Sequence, residues 1–280
     1  MIAVCPNPYR DKDLIVSRKI SELLSAHGYE SVFCPIFAGD ADVIPADINP
    51  CSLKELAGEC SLIIVIGGDG TILSAVREME NAPIPVLGLN LGTKGFLSTL
   101  EMKDMELILK AAKGEMKISV RMMLDVELIR RGEVICSGSV LNDVVVHGHG
   151  DCIRVAALCG DDTVTSFSGD GIIIATPTGS TGYSMSAGGP IAEPAAENII
   201  LTPICPHKMG SRPYVLAPYR EITIIPGNLN GKSAYVSFDG IFAANLENDD
   251  KILVRRSEYQ THMVDFGLKS FYDIANEKLT

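Results

Sequence analysis

The chain has 280 residues, 46% of them hydrophobic, and it carries a formal net charge of −11 with a pI of about 4.9. These values predict a folded protein with a buried core rather than a disordered one. An acidic protein repels phosphate backbones and anionic lipids, so nucleic acid and membranes are not expected as partners, whereas a small phosphorylated ligand held by backbone N–H groups and Mg²⁺ is compatible with this charge.

The pattern of the first residues and the spacing of the cysteines favour a cytoplasmic protein. The first residues, MIAVCPNP, lack the charged start and the apolar stretch of a signal peptide, and no apolar run reaches the length of a membrane span. The eight cysteines are scattered and contain no Cys-x-x-Cys pair. We therefore expect reduced cysteines and a cytoplasmic protein.

Strands and helices alternate in the first third of the chain. Apolar runs predict strands at 2–5, 31–37, 61–66 and 84–89, and helical spacing predicts helices at 13–27 and at about 71–79. Residues Ser52 to Glu55 have the form of a capping box that opens another short helix. Uninterrupted apolar strands between helices are typical of a parallel sheet covered by helices, as in Rossmann-like folds.

The pattern changes after about residue 100. One helix is predicted at 104–113 and a last one at 271–278. Between them, short strands separated by turns are predicted at 117–129, 134–146, 153–158, 163–167, 171–175, 214–216, 222–226, 234–238 and 251–255. The expected fold is therefore an α/β domain at 1–100 followed by an all-β domain at 101–265.

A glycine-rich turn, Gly67-Gly68-Asp69-Gly70-Thr71, lies between a predicted buried strand and a predicted helix. Ligands bind at this position in α/β folds, because glycines let a phosphate approach the backbone and the helix N-terminus offers aligned N–H donors. Gly67, Gly68, Gly70 and Thr71 are therefore candidate phosphate-binding residues, and Asp69 is a candidate base or Mg²⁺-side carboxylate. A tight turn capped by an aspartate explains the same residues about as well.

A second run, 169–190, leads from a strand into a loop that is rich in Gly, Ser and Thr. Small residues permit close contact between a backbone and a ligand, and hydroxyl groups supply hydrogen bonds. A structural loop rarely needs so many of both. The run is therefore a candidate ligand-binding loop.

Together the two runs resemble those of the NAD kinase family. Further matches lie in the family's order and at its spacing and cover nearly the whole chain: Gly88-Leu89-Asn90, Gly95-Phe96-Leu97, Asn142-Asp143, Pro206-His207, Arg212-Pro213, Ser270-Phe271-Tyr272 and Lys278-Leu279. The resemblance implies a β-rich domain that binds NAD and a final helix, within about 266–280, that returns to the first domain. It also implies Mg²⁺-dependent transfer of a phosphoryl group from ATP to the 2′-hydroxyl of the adenosine ribose of NAD.

Site residues follow from this resemblance position by position. Asp69 corresponds to the catalytic aspartate, which holds the adenosine ribose and removes the proton of its 2′-hydroxyl. Asn142 corresponds to the asparagine on the adenine, and Asp143 stands where the family usually has Glu, also on the ribose. The other implied dinucleotide-binding positions are Gly70, Phe96, Asp170, Thr178, Thr181, Gly182, Tyr183 and Ser186.

Different parts of the dinucleotide are assigned to different side chains. The resemblance implies that Phe96 and Tyr183 pack on the base and that Thr178 lies near the adenine. It places Asp170 and Ser186 near the ribose at the nicotinamide end.

Four properties stay open at this point. Ser168 stands where many bacterial members have arginine, which leaves the preference between NAD and NADH undecided, and Gly182 replaces the usual alanine. The donor is ATP or polyphosphate. The resemblance implies a homodimer or a homotetramer.

Two carboxylates beside a ribose hydroxyl orient it and accept its proton, and their mutual repulsion raises the pKa of one of them. We expect Asp69 and Asp143 to form such a pair. Mg²⁺ arrives with ATP, and no residue is predicted as a protein ligand of a metal. His147 and His149 have the spacing of a metal pair, but no third ligand is evident, and loop histidines are the simpler interpretation.

Two alternative functions remain. The GGDGT turn also occurs in lipid kinases of the diacylglycerol and sphingosine type, and a near relative occurs in phosphofructokinases. A non-catalytic dinucleotide-binding regulator would keep the pocket without turnover, but the intact Asp69 argues against it.

Overall fold

The computed structural model describes residues 1–37, 43–92, 95–98, 100–208 and 210–279. Two compact units are present, one formed by Met1–Val120 with Thr261–Thr280 and the other by Arg121–Gln260. In the described part of the chain, no helix is both long enough and apolar enough to cross a bilayer. The expected sequence of an α/β unit and a mostly β unit is confirmed.

Helices and strands have the following bounds in the described residues. The helices are α1 (Ile15–Ala26), α2 (Leu53–Leu56), α3 (Asp69–Glu78), α4 (Leu107–Ala112), α5 (Tyr183–Ser186) and α6 (Phe271–Leu279). The strands are β1 (Ile2–Pro6), β2 (Ser31–Phe33), β3 (Leu62–Gly67), β4 (Val86–Asn90), β5 (Lys117–Arg130), β6 (Glu133–Val140), β7 (Asp143–Gly148), β8 (Ile153–Cys159), β9 (Asp162–Gly169), β10 (Gly171–Ala175), β11 (Ile199–Ile204), β12 (Tyr214–Leu216), β13 (Ile222–Pro226), β14 (Ala234–Phe238), β15 (Ile241–Asn245) and β16 (Lys251–Asp265).

The first unit is built on a parallel sheet with the strand order β2-β1-β3-β4. Near the end of β16, Met263 pairs in parallel with Val86 of β4, so the returning chain extends this sheet. Every residue of β1, β3 and β4 is buried. Both faces of these strands are therefore covered, which explains their uninterrupted apolar sequences.

Helix α4 and the end of β16 contribute to the core of the first unit. Ile108 and Ala111 of α4 and Val264 of β16 lie in one buried cluster with Ile64 of β3. This packing explains why the unit boundaries lie at 120/121 and 260/261, whereas the sequence pattern placed them near 100 and 266.

The second unit contains two antiparallel sheets. One has the order β12-β11-β10-β7-β14-β15, and the other contains β16, β13, β8 and β9, with the hairpin β5–β6 paired to β16. Alternate residues of the strands, such as Val144 and Val146 of β7 or Ile172 and Ile174 of β10, enter one core. This alternation with period two is typical of a β-sandwich.

Several strands differ from their predicted bounds. The strand predicted at 134–146 is two strands, β6 and β7, because hydrogen bonds from the amides of Leu141 and Asn142 go to the carboxylate of Asp239 rather than to a neighbouring strand. Two strands, β11 and β15, were not predicted, and Pro203 inside β11 weakens its strand signal. The strand predicted at 251–255 continues to Asp265.

Helix starts differ as well. Helix α3 begins at Asp69 rather than at about residue 71. The capping box predicted at 52–55 is wrong, because Ser52 makes no side-chain hydrogen bond at the start of α2. The chain has a capping box elsewhere: the carboxylate of Asp104 accepts the N–H of Glu101 at 3.1 Å, at the start of the 3-10 helix Met102–Asp104.

Candidate functional site

The glycine-rich turn joins β3 to α3 in the first unit. A Cβ built on Gly67 would lie 2.4 Å from Oγ1 of Thr71, so only glycine fits there. Nδ2 of Asn7 donates a hydrogen bond to the same Oγ1 at 3.2 Å. The turn is therefore fixed by its own threonine and by the loop that follows β1.

Asp69 is the first residue of α3, and its carboxylate accepts hydrogen bonds from residues outside this helix. Oδ2 accepts the N–H of Phe96 at 2.7 Å, while Oδ1 accepts the N–H groups of Leu97 at 3.2 Å and of Ser98 at 3.3 Å. Oγ of Ser98 adds a longer contact of 3.4 Å to Oδ1. A Cβ built on Gly95 would lie 1.6 Å from Oδ1, so the close approach of this loop requires glycine. Asp69 thus orders the loop rather than capping its own helix.

The N-terminus of α3 offers backbone donors. The carbonyl of Gly68 accepts the N–H groups of Thr71 and Ile72. Among the described residues, no hydrogen bond is formed by the N–H groups of Asp69 and Gly70, and Gly70 is exposed. Free N–H groups at the positive end of a helix form a binding position for an anion.

Phe96 lies between the Asp69 loop and the C-terminal helix. Its ring centroid is 6.3 Å from that of Phe271, and the ammonium group of Lys278 lies 4.6 Å from the centre of the Phe96 ring. In this structure, the ring that the sequence assigned to the nucleotide base therefore contacts α6.

In the second unit, Asn142 and Asp143 are held by a residue that sequence reasoning missed. The carboxylate of Asp239 accepts the N–H groups of Leu141 at 2.8 Å, Asn142 at 2.7 Å and Asp143 at 3.0 Å. Asp239 and Gly240 have φ values of 46° and 79° and form the turn between β14 and β15. An Asp-Gly pair between strands is a hairpin signal in the sequence, but nothing local shows what its carboxylate binds.

The loop after β10 packs directly on this segment. The N–H of Thr176 donates to the carbonyl of Asn142 at 2.8 Å, and Oγ1 of Thr176 accepts the N–H of Gly179 at 3.0 Å. A Cβ on Gly179 would lie 2.1 Å from that same Asn142 oxygen. The Cβ position of Gly182 is 3.5 Å from Nδ2 of Asn142 and 3.8 Å from Oδ2 of Asp143. The structure therefore brings these predicted residues together.

Thr178 and its neighbours show different degrees of burial. Thr178 is 6% exposed, and its Oγ1 has no hydrogen-bond partner among the described residues. Oγ1 of Thr181 donates to the carbonyl of Thr178 at 3.2 Å. The side chains of Tyr183 and Ser186 are exposed. A buried hydroxyl without a partner is costly unless a ligand supplies one.

Burial changes the protonation of Asp143. The residue is 5% exposed, and its burial, together with the negative charge of Asp239, raises the pKa of Asp143 to about 7. The sequence-based hypothesis paired Asp143 with Asp69. That pairing stays a prediction, and the neighbouring charge that raises the pKa of Asp143 in this structure is that of Asp239.

Burial raises the pKa of Tyr183, and the nearby charges of Asp170 and Asp143 add to this shift, so these candidates lie near one another. Asp170 is half-buried, and its backbone bridges Gly148 and Ile204. The ring of His149 lies 4.5 Å from that of Tyr235. Among the described residues, no set of three His, Cys, Asp or Glu side chains has the arrangement of a metal site.

Two family models match the chain. The ATP-NAD kinase N-terminal domain matches residues 2–114, and the ATP-NAD kinase C-terminal domain matches residues 141–266. The NAD kinase of Natranaerobius thermophilus is 35% identical over 282 residues, covering 100% of this chain and 97% of the relative. The NAD kinase of Caldanaerobacter subterraneus subsp. tengcongensis is 34% identical, with coverage of 100% and 98%.

Solved structures of this family are similar along the whole chain. Yeast NADH kinase complexed with NADH gives a TM-score of 0.87 at 25% identity, covering 99% of this chain and 86% of that one. An NAD kinase from Archaeoglobus fulgidus in complex with ATP gives a TM-score of 0.75 at 28% identity, with coverage of 99% and 98%.

Proposed function

The chain belongs to the ATP-NAD kinase family, and we propose that it transfers the γ-phosphoryl group of ATP to the 2′-hydroxyl of the adenosine ribose of NAD, with Asp69 as the catalytic base. The observation that carries this assignment is the carboxylate of Asp69, which is fixed by the amides of Phe96, Leu97 and Ser98 at the carboxyl end of β3. A base that is held in place needs no reorganisation when the hydroxyl arrives.

Asp69 keeps capacity for a substrate hydroxyl. Among the described residues, its Oδ2 accepts a single hydrogen bond, from the N–H of Phe96. A carboxylate oxygen has a second lone pair, which accepts the 2′-hydroxyl proton as the hydroxyl oxygen attacks the γ-phosphorus and the bond from this phosphorus to the leaving ADP breaks. General base catalysis of this kind contributes a factor of about 10²–10⁴.

Asn142, Asp143 and Thr178 bind the adenosine part of NAD. The unpartnered Oγ1 of Thr178 and the amide of Asn142 supply hydrogen bonds to the adenine, and the carboxyl of Asp143 bonds a ribose hydroxyl. With a pKa of about 7, Asp143 donates a proton in this bond at low pH and accepts one at high pH. The proximity of Asn142 and Asp143 to the Cβ position of Gly182 supports a shared subsite.

Phosphate groups of the donor bind at the N-terminus of α3, where the amides of Asp69 and Gly70 lack described partners. At Gly67, Gly68 and Thr71, the backbone of this turn stays accessible to a phosphate group. Mg²⁺ carried by ATP would supply positive charge to the transferred phosphoryl group. Asp69 is the carboxylate of the turn and would offer an oxygen to a metal that is held mainly by the phosphate groups.

A matrix of donors and acceptors tests the proposal. The purified protein is incubated with Mg²⁺ and either ATP or polyphosphate, against either NAD or NADH, and the phosphorylated product is quantified. We expect product from ATP and NAD in the wild type and almost none in Asp69→Asn. Wild-type turnover by Asp69→Asn would refute the assignment of the base.

The same matrix decides two open preferences. Ser168 is exposed at the end of β9, and its neutral hydroxyl does not repel the positive charge of an oxidised nicotinamide ring. The similar yeast structure is that of an NADH kinase with NADH. We propose NAD as the preferred acceptor and ATP as the preferred donor, and a higher kcat/KM for NADH or for polyphosphate would reverse the preference concerned.

Assembly and location are also proposals. We propose a homodimer or homotetramer, since the exposed side chain of Ser186, which is assigned to the nicotinamide end, leaves that end of the site open to a neighbouring copy. A protein that is monomeric by light scattering and fully active in the NADP-formation assay would contradict this assembly. We propose the cytoplasm because all eight cysteines are free thiols, which is typical of a reducing compartment.

A further inference from the structure

A cavity of about 230 Å³ lies in the first unit, beside the loop that holds Asp69. It is bounded by Asn90 at the end of β4, by residues that follow this strand, and by the chain that leads from β16 into α6. Gly95 and Ser98 line the cavity and also approach the carboxylate of Asp69. No step of the proposed reaction uses this space.

Asn90 lines the cavity and carries a buried polar group without a partner among the described residues. The residue is 5% exposed, and its Oδ1 accepts the N–H of Gly92 at 3.0 Å, which fixes the orientation of the amide. Its Nδ2 has no hydrogen-bond partner among the described residues. A buried donor in this condition is stabilised by any ligand that brings an acceptor to it.

The rest of the lining is largely apolar. Leu100, Phe266, Leu268 and Ile274 form walls against which a flat ring can pack. A volume below the roughly 300–1,000 Å³ of drug-sized sites limits the occupant to about one small ring system.

Charges at the rim disfavour an anionic occupant. Glu101, Asp104 and Asp265 outnumber the lining cations Lys103 and Lys269. Lys103 is already paired with Glu101 at 2.9 Å, and Lys269 is paired with a glutamate of α6. An amine or amide N–H of a ligand would instead be attracted by the carboxylates.

We propose that this cavity binds a neutral, planar nitrogen heterocycle that carries an amine or amide group. A ring nitrogen or carbonyl of the ligand accepts a hydrogen bond from Nδ2 of Asn90, its faces pack on the apolar walls, and its N–H groups point to the rim carboxylates. Such a heterocycle has two sources, the base of the nucleotide donor or a free base that acts as an effector. The first source rests on the proposed function, whereas the second does not.

Occupancy of the cavity acts on catalysis through the Asp69 loop. Because Gly95 and Ser98 contact both the cavity and the carboxylate, a ligand that packs against them restricts the positions of the amides that hold Asp69. The amides then stay in the arrangement that fixes the base.

Calorimetric titration with adenine and with nicotinamide tests the site in the full-length protein. Saturating NADP is present so that the dinucleotide site is filled. Asn90→Asp keeps the acceptor for Gly92 but replaces the free donor by an acceptor, and Leu268→Trp fills the cavity from an exposed position. Leu279→Trp, an equally exposed leucine of α6 outside the cavity, is the matched control.

We expect one of the two bases to bind the wild type and the Leu279→Trp control equally, and to bind both cavity variants at least about tenfold more weakly. Absence of binding by both bases, or equal affinity in all four proteins, overturns the proposal. Thermal unfolding of each variant verifies folding, and Leu268→Trp alone suffices if Asn90→Asp is unstable.

Steady-state kinetics separate the two sources. If the base of ATP occupies the cavity, both cavity variants raise KM for ATP at least about fivefold and leave KM for NAD unchanged. If a free base is the ligand, KM for ATP is unchanged, and the effect of added adenine or nicotinamide on kcat disappears in the variants. Binding without either kinetic effect refutes the link to Asp69. A wild type that binds the base but makes no NADP refutes the proposed function and leaves the site itself supported.

Discussion

At the scale of single residues, Asp69 and Asp143 have the same side chain in different surroundings. Asp69 is half-buried, and backbone amides meet its carboxylate. Asp143 is buried, and the charge of Asp239 and the loss of water raise its pKa to about 7. Neighbours, not residue type, therefore give one aspartate the properties of a fixed acceptor and the other those of a group that exchanges a proton near neutrality.

The role of Asp69 is tested by Asp69→Asn. The amide oxygen still accepts a hydrogen bond from the N–H of Phe96, but the amide NH₂ group then faces the N–H donors of Leu97 and Ser98, and the side chain no longer removes a proton. We expect kcat to fall by about 10²–10⁴ with a much smaller change in KM for NAD, measured as NADP formation. Arg77→Gln, an exposed change in the same helix, serves as the control and should stay within about twofold.

The pKa of Asp143 has a consequence for stability. A folded-state pKa of about 7 exceeds the value of about 3.9 in an unfolded chain, so the folded protein binds the extra proton, and stability is lost as the pH rises through this window. Asp143→Asn removes this loss. We expect the variant to be more stable than the wild type at about pH 8.5, by up to about 4 kcal/mol, and by about half as much at about pH 5.5.

Urea unfolding at both pH values measures this difference, and a difference that is independent of pH would contradict the assignment. The same variant should bind NAD more weakly at high pH, because an amide nitrogen replaces a ribose-binding oxygen. Stability and binding then change in opposite directions, which distinguishes a functional carboxyl from a structural one.

Thr178 gives a second contrast between stability and binding. Thr178→Val removes a buried hydroxyl that has no described partner and keeps the shape of the side chain. We expect the free protein to gain up to about 1–2 kcal/mol in thermal or urea unfolding, while the affinity for NAD falls about tenfold. A loss of stability with unchanged NAD affinity would show that the hydroxyl serves the fold instead.

At the scale of elements, the proposed dinucleotide subsite of the second unit depends on two loops that meet at the start of β7. The turn between β14 and β15 contributes the carboxylate of Asp239, and the loop after β10 contributes Thr176 and Gly179. Both bind the backbone around Asn142 rather than side chains. The position of this segment is therefore fixed by tertiary hydrogen bonds, and it does not require regular strand pairing.

Two glycines of the loop after β10 test this arrangement. A Cβ on Gly179 would be 2.1 Å from the carbonyl oxygen of Asn142, whereas a Cβ on Gly182 would meet its nearest neighbour, the oxygen of Gly179, at 3.3 Å. We expect Gly179→Ala to lose at least about 2 kcal/mol of stability and most NAD binding. Gly182→Ala should change KM for NAD less than about threefold. The opposite order in unfolding and kinetic measurements would contradict the packing of this loop.

At the scale of the whole molecule, the first unit is assembled from two distant parts of the chain. The strand segment around Met263 and Val264 returns to it after the entire second unit, and both side chains are almost fully buried there. We therefore expect that the first unit folds completely only when residues 261–280 are present.

Deleting residues 261–280 is expected to destabilise the first unit by about 3–6 kcal/mol, because two buried side chains are lost at about 1.5–3 kcal/mol each. Limited proteolysis should then cleave the first unit before the second. Tyr272 of α6 is exposed, so Tyr272→Ala serves as a control. This variant should leave the cleavage rate unchanged. Equal protease resistance of the truncated and full-length chains would contradict this account.

The sequence by itself determined those features that depend on local spacing. Continuous apolar runs specify β1 and β3, turns at short intervals indicate the β-rich second unit, and the motif residues identify the kinase family and place Asp69 between a strand and a helix. These signals are local because side-chain burial repeats with the period of the strand or helix.

Only the tertiary structure decided the contacts of the two aspartates. The amides that hold Asp69 lie 27–29 residues away, and the carboxylate that breaks the predicted strand at Asn142 lies 97 residues away. The pKa of Asp143 depends on that same distant charge and on the water excluded by packing. Hydrogen bonds and desolvation between remote segments leave no periodic trace in a sequence, since they depend on which surfaces the folded chain brings together.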